Sequence, residues 1–175
     1  MIIERPLGNL KDDKFKDLEV DYVDFEWYEL RRRIQKVTSR GGYDIGLRWD
    51  QETLSAGLMQ DDVLAVEDGK AIAINVKETE AIVAKINTVR EAAKLCYEIG
   101  NRHAPLFFGE NFDEIIMPYD KPMLVMLEKL HAHPEVKQRK LLNSHALSSV
   151  STGTDTDGHS HTHGGEEGKM HTHFH

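Results

Sequence analysis

One cysteine, five prolines and an aromatic share of 7% in 175 residues set the first limits on this chain. Cys96 is alone, so it closes no internal disulfide, and Met1 to Pro6 lack the apolar core of a secretory leader; a cytoplasmic protein is expected. No apolar run approaches the roughly 18 residues that cross a bilayer, which argues for a soluble protein without a membrane partner. Positive charge is scarce too, with 22 Lys and Arg against 30 Asp and Glu and a formal net charge of −8. Nucleic-acid readers need clustered basic surface to release counterions, so no nucleic-acid partner is expected. The single basic run, Arg31-Arg32-Arg33 beside the acidic stretch Asp24 to Glu29, reads as a solvated face. There is also no Ser/His/Asp order, nucleophile elbow, phosphate-binding glycine loop or carboxylate pair with a reason for a shifted pKa, so the chain does not read as an enzyme.

What the chain does have is histidine. His159-Ser160-His161-Thr162-His163 and His171-Thr172-His173-Phe174-His175 alternate imidazole with small or apolar residues in a segment otherwise made of Ser, Thr, Gly, Asp and Glu. Neutral imidazole suits Ni, Cu, Zn and Fe, and no thiolate stands nearby to select soft Cu(I). In an extended chain residues i and i+2 point the same way, so each His-X-His pair can close on one ion without a preformed pocket. A purification tag is usually an unbroken run, whereas these histidines are interleaved, so the tail is read as native. From Leu147 onward too few apolar side chains remain to offset ordering entropy, and residues 147–175 are expected to be disordered without metal.

The folded part reads as an α+β protein in two units. Residues 1–76 look like a small all-β domain, with strands at Tyr22 to Phe25, Arg33 to Val37, Ile45 to Leu47, Val63 to Val66 and Ala71 to Ile74 and one helical turn near Trp27 to Arg31. Gly41-Gly42 and Asp68-Gly69 are suited to hairpin turns, which need positive φ. Residues 77–146 switch period. A strand at Ala81 to Ile86 leads into a helix opened by the capping box Thr88 to Glu91, with Val89, Ala92, Ala93, Cys96 and Ile99 as its expected inner stripe and Gly100 as its stop. Cys96 on that stripe reads as a small buried hydrophobe rather than a ligand.

Strands at Leu106 to Phe108 and Phe112 to Met117 follow, joined by Gly109-Glu110-Asn111. Asp120 then caps a second helix with Pro122 in its first turn and Met123, Leu124, Met126, Leu127 and Leu130 inward. Those methionines read as flexible core filler rather than metal ligands. A lysine- and arginine-rich edge strand spans Val136 to Leu142, and the order β-α-β-β-α-β is the ferredoxin-like arrangement.

Outside the tail His103 is the histidine of interest, because Gly100-Asn101-Arg102-His103 puts it in a short accessible loop past a helix end. One imidazole makes no tight site by itself, and Arg102 beside it discourages a cation, so a second ligand is needed. His131 and His133 fall where a helix frays, and His145 has no partner at chelating spacing.

The stretch Cys96-Tyr97-Glu98-Ile99-Gly100-Asn101-Arg102-His103, followed by Pro118-Tyr119-Asp120 and Met126-Leu127, resembles the UreE family of urease accessory proteins, which are nickel metallochaperones. Glu26-Trp27 and Asp62-Val63-Leu64 resemble the family's first domain, considered a peptide-binding module, so the likeness covers nearly the whole chain.

The resemblance implies a homodimer joined through the ferredoxin-like domains, with His103 of each subunit sharing one metal and the tail, His159, His161, His163, His171, His173 and His175, supplying further donors. Symmetry would then resolve the single-ligand problem. Ni(II) is the implied cargo; Zn(II) or Cu(II) can bind in vitro, since the Irving–Williams order does not favour nickel over copper. The implied partners are the apo-urease accessory complex and the GTPase UreG. Some relatives carry extra histidines after this loop, where this chain has Tyr119, Asp120 and Lys121, so their accessory metal site does not carry over. A carrier needs mixed fixed and mobile ligands, and because imidazole binds only when neutral, occupancy should fall as pH drops through about 6. The competing reading is a His-rich store or buffer for nickel or zinc whose folded domains only dimerise.

Overall fold

The structure is a computed structural model that describes residues 2–147. In chain order it contains β1 (Ile2–Ile3), β2 (Gly8–Asn9), β3 (Glu19–Phe25), β4 (Ile34–Thr38), β5 (Asp44–Arg48), α1 (Gln51–Ala56), β6 (Asp62–Glu67) and β7 (Lys70–Val76). There follow β8 (Glu78–Lys85), α2 (Val89–Gly100), β9 (Phe107–Phe108), β10 (Glu114–Pro118), α3 (Lys121–Lys129) and β11 (Glu135–Lys140). The tail histidines and the expected disorder of residues 147–175 lie, apart from Leu147 itself, outside the described residues.

The first seven strands form two sheets, one ordered β1-β5-β4 and the other β2-β6-β7-β3. β7 is covered on both faces. Its Ile72, Ile74 and Val76 join Phe25, Ile45, Leu47 and Trp49 in the core between the sheets, while Ala71 and Ala73 pack with Phe15 and Val63 on the far side. That two-sided burial explains why β7 reads as a nearly continuous apolar run rather than an alternating one. Asp68 (φ 48°) and Gly69 (φ 77°) turn β6 into β7 with two successive positive φ values, as a tight hairpin of this twist requires. The all-β expectation omitted α1, a six-residue helix capped by Asp50, whose carboxylate accepts from the Thr53 amide at 2.8 Å. Fewer than two turns carry too little periodicity to be read from sequence.

At Lys77 the chain changes sheet. The third sheet has the order β11-β8-β10-β9, all neighbours antiparallel, with α2 and α3 on one face: the ferredoxin-like β-α-β-β-α-β arrangement. On the helix side Ile82, Ala84, Ile115 and Met117 meet Leu95, Ile99, Met123 and Leu127. The other face, Ala81, Val83, Phe107 and Ile116, is covered by Leu141, Ala146 and Trp27. Trp27 belongs to the first unit and also packs against that unit's core, and its ring meets Phe107 edge-on at 6.0 Å between centroids. Returning chain ties the units together again where the Asn143 side-chain amide donates to the Leu58 carbonyl at 2.7 Å.

Strand ends differ from those expected, most clearly at the start of β10. β10 begins at Glu114, and Phe112 sits in the preceding turn with φ 57°, its ring exposed against Phe108. A positive φ at Phe112 is incompatible with extended pairing.

Candidate metal centre

Helix α2 sets the direction of the site. Thr88 Oγ1 accepts from the Glu91 amide at 3.2 Å, as the expected capping box requires, whereas the Glu91 carboxylate reaches back one residue further and accepts from the Asn87 amide at 3.0 Å. Those bonds hold the Glu91 carboxyl below its ordinary range. The inner stripe differs from the expected one. Leu95 and Ile99 are buried with Ala92 and Cys96 beside them, whereas Val89 is 88% exposed and Ala93 faces water. The helix is rolled so that residues 92, 95, 96 and 99 face the sheet, because Leu95 offers more apolar area to the core than Val89 or Ala93. Cys96 stays half-buried and burial pushes its thiol up, away from the thiolate a metal would need.

One exposed flank of α2, between the buried stripe and exposed Arg90 and Lys94, is apolar too. Val89, Ala93 and Tyr97 recur every four residues on it, with Tyr97 68% exposed, and Gly100 continues the same line. Gly100 was expected to be the left-handed stop, yet it lies inside the helix without positive φ. A side chain there would meet nothing within 4 Å, so nothing in a single copy explains the glycine.

The left-handed residue is His103 itself, with φ 52°, a conformation that histidine tolerates better than most residues. Three successive backbone bonds wind the chain down to it: the Asn101 amide to the Tyr97 carbonyl (3.0 Å), Arg102 to Ile99 (3.0 Å) and His103 to Gly100 (2.9 Å). His103 is therefore exposed on a turn whose three amides are all hydrogen-bonded, at the end of the apolar stripe. The adjacent cation is occupied, because the Arg102 guanidinium donates to the Glu98 carbonyl at 2.7 Å and to its carboxylate at 3.3 Å. Sequence reasoning saw Arg102 as an obstacle and missed Glu98, although the i, i+4 spacing of an acid before an arginine was there to be read.

Among the described residues no three ligating side chains converge on one point. His131 (φ 58°) and His133 (φ 47°) are exposed past the end of α3, and His133 lies close enough to Glu91 to act on its charge. Glu91 opens α2 and His103 follows its end, so these imidazoles stand apart from His103 by about 18 Å of helix at 1.5 Å per residue. His145 is half-buried in a short 3-10 turn. None of the described helices is long and apolar enough to cross a membrane.

Two family models account for the chain: the UreE urease accessory protein N-terminal domain over residues 3–77 and its C-terminal domain over residues 79–175. Among curated relatives, the urease accessory protein UreE of Helicobacter pylori (strain Shi470) is 45% identical over 141 residues, covering 81% of this chain and 82% of the relative. UreE of Helicobacter acinonychis (strain Sheeba) is 46% identical over the same length with the same coverage. UreE of Acetivibrio thermocellus is 38% identical over 163 residues, covering 93% of this chain and 99% of the relative. With both family domains matched in order and the α2–His103 turn inside the second, this chain belongs to the UreE urease accessory protein family.

Proposed function

We propose that this protein is a homodimeric nickel carrier in urease maturation. His103 of each copy holds one Ni(II) between them, and His159, His161, His163, His171, His173 and His175 of the tails collect further ions and complete or open that site. Residues 77–146 bind the metal and dimerise, residues 1–76 take a peptide of the urease machinery, and the ion passes to apo-urease through the accessory complex and the GTPase UreG. The observation that carries this reading is the α2 surface: an exposed stripe of Val89, Ala93, Tyr97 and Gly100 that runs into an exposed, backbone-fixed His103.

A second copy related by a two-fold axis covers that stripe with its own. The glycine then has a purpose, since a close helix approach tolerates no side chain at Gly100. The same axis brings His103 against its twin, which supplies the second imidazole that one subunit lacks. The Arg102–Glu98 pair lowers the electrostatic cost of a cation next to an arginine. Two fixed imidazoles with mobile tail donors give retention without a closed cage.

The test is metal stoichiometry and assembly mass for the wild type, for a chain truncated after Val150, and for that truncation carrying His103→Ala. The truncated chain is expected to keep one Ni(II) per dimer and the double variant none. Loss of all tight binding on truncation alone would favour a store or buffer, and unchanged stoichiometry in the double variant would remove the His103 site.

A further inference from the structure

β4 is an edge strand, and one side of it is bare. The Trp49 amide donates to the Arg33 carbonyl at 2.9 Å and the Ser39 amide to the Tyr43 carbonyl at 3.0 Å. Between those bonds Ile34 stands opposite Arg48, Lys36 opposite Gly46 and Thr38 opposite Asp44. Bonded and non-bonded pairs alternate in an antiparallel ladder. Gln35 and Val37 therefore bond to β5, while the amides and carbonyls of Ile34, Lys36 and Thr38 point away from it. Among the described residues no strand lies on that side, and none of those outward amides meets a backbone carbonyl. The bare length ends at Arg40, whose amide donates to the Tyr22 carbonyl at 2.8 Å.

Free edges are usually blunted by a bulge, a proline or a charge that stands in the way. β4 has none of these: its register runs without a bulge, it holds no proline, and Lys36 leans across the sheet onto Asp44 at 2.7 Å. Ile34, at the head of the strand, is 71% exposed. The charge beside it is unpaired. Arg5, Arg32, Arg40 and Arg48 of this unit each hold a carboxylate, whereas Arg31 and Arg33 hold none among the described residues. On a chain of net charge −8, two such guanidiniums next to an open row of amides are a local exception.

We propose that the free edge of β4 takes an acidic extended segment of a partner protein as an added strand. The outward amides and carbonyls of Ile34, Lys36 and Thr38 supply main-chain bonds, and alternate side chains of the guest lie beside Ile34. Carboxylates of a guest that runs on past Ile34 meet Arg33 and Arg31. Main-chain bonding alone accepts almost any sequence, so the two arginines make the choice, favouring acidic segments and repelling basic ones. The assignment rests on the reading that residues 1–76 take a peptide, and adds the edge that binds it and the charge it carries.

Fluorescence anisotropy of the metal-free full chain decides it, with two labelled probes: a decapeptide of alternating glutamate and valine, and its counterpart with lysine for glutamate. The glutamate probe is expected to bind about tenfold more tightly than the lysine probe, with an affinity that falls as salt rises. Lys36→Pro removes one outward amide and leaves the bonds of Gln35 and Val37 to β5 in place. It should weaken the glutamate probe about tenfold at an unchanged urea midpoint. Lys36→Thr loses the same charge but keeps the amide, and should bind as the wild type does. Arg31→Ala combined with Arg33→Ala, both on exposed side chains, should cost about fivefold and flatten the salt dependence. Equal affinity for the two probes, or a glutamate probe unmoved by Lys36→Pro and by the arginine pair, overturns the assignment. So does a smaller assembly mass for Lys36→Pro, which means a second copy occupies the edge. Binders on an array of random decapeptides that ignore Lys36→Pro overturn the β4 site and leave residues 1–76 a peptide domain with another site; an array without binders removes both.

Discussion

The roll of α2 decides which side chains hold the fold and which are left for a partner, and a pair of substitutions two residues apart separates them. Leu95 is 2% exposed inside the core of the second unit. Leu95→Ala removes buried methyl groups and leaves a cavity against Ile99 and Met123, costing about 3 kcal/mol within the 2–5 kcal/mol range of such changes. For a chain of this size that lowers the melting temperature by about 6–12 °C. Tyr97, at 68% exposure, touches little in its own copy, so Tyr97→Ala should change the stability of the isolated fold by at most about 0.5 kcal/mol. In a two-fold dimer the ring is lost twice. At about 1.5 kcal/mol per buried side chain the assembly loses about 3 kcal/mol, a rise of roughly a hundredfold in the dimer dissociation constant. Urea titration followed by far-UV circular dichroism reads the first effect, and sedimentation across a concentration series reads the second. A neutral Leu95→Ala together with a Tyr97→Ala that unfolds the chain would refute the helix orientation, and a Tyr97→Ala dimer as tight as the wild type would refute the stripe as the contact.

Two further outcomes follow from the packing and the caps. Trp27→Ala empties the wedge between the two units at Phe107 and should cost about 2–3 kcal/mol, less than a fully buried tryptophan, and split one calorimetric transition into two; a single unshifted transition would show that Trp27 does not couple them. Asp120→Ala removes the cap whose carboxylate accepts from the Met123 amide at 2.9 Å and should cost about 1 kcal/mol in urea titration, a loss that Asp120→Asn largely avoids.

Acid should destabilise the fold through a known set of carboxylates. The Arg40 guanidinium holds the Asp24 carboxyl below the usual range, and the Thr53 amide does the same for Asp50. These groups bind protons more weakly folded than unfolded, so their contribution is present above about pH 4 and is lost as pH falls below it. Asp62 runs the other way, since burial pushes its carboxyl up and its ionisation costs stability as pH rises through about 4. Urea midpoints between about pH 3 and 5 should fall more gently in Asp24→Asn than in the wild type, and equal slopes would remove Asp24 from the set.

Much of this protein was legible in its residues because the signals are local. Thr88 and Glu91, Asp120 and Pro122, and Asp68-Gly69 each mark an element through bonds or dihedrals a few residues long, and they form as read. The helical period of the second half placed both helices, and the run from Cys96 to His103 pointed to the UreE family. Short elements without a period escaped, as α1 and β1 did, and so did the phase of α2, where Val89 and Ala93 are as apolar as an inner stripe needs.

Local bonding rules and the period of apolar residues, both written in the chain, therefore settled the order of elements over residues 78–140. Tertiary structure decided what no single segment contains. It chose which of two apolar faces of α2 the sheet covers, because Leu95 fills the core better than Val89. It made His103 rather than Gly100 the left-handed residue, because three backbone bonds close the helix one turn later, and it set Trp27 between the units. Each of these compares the burial or bonding of competing side chains against surfaces that exist only once the chain is folded.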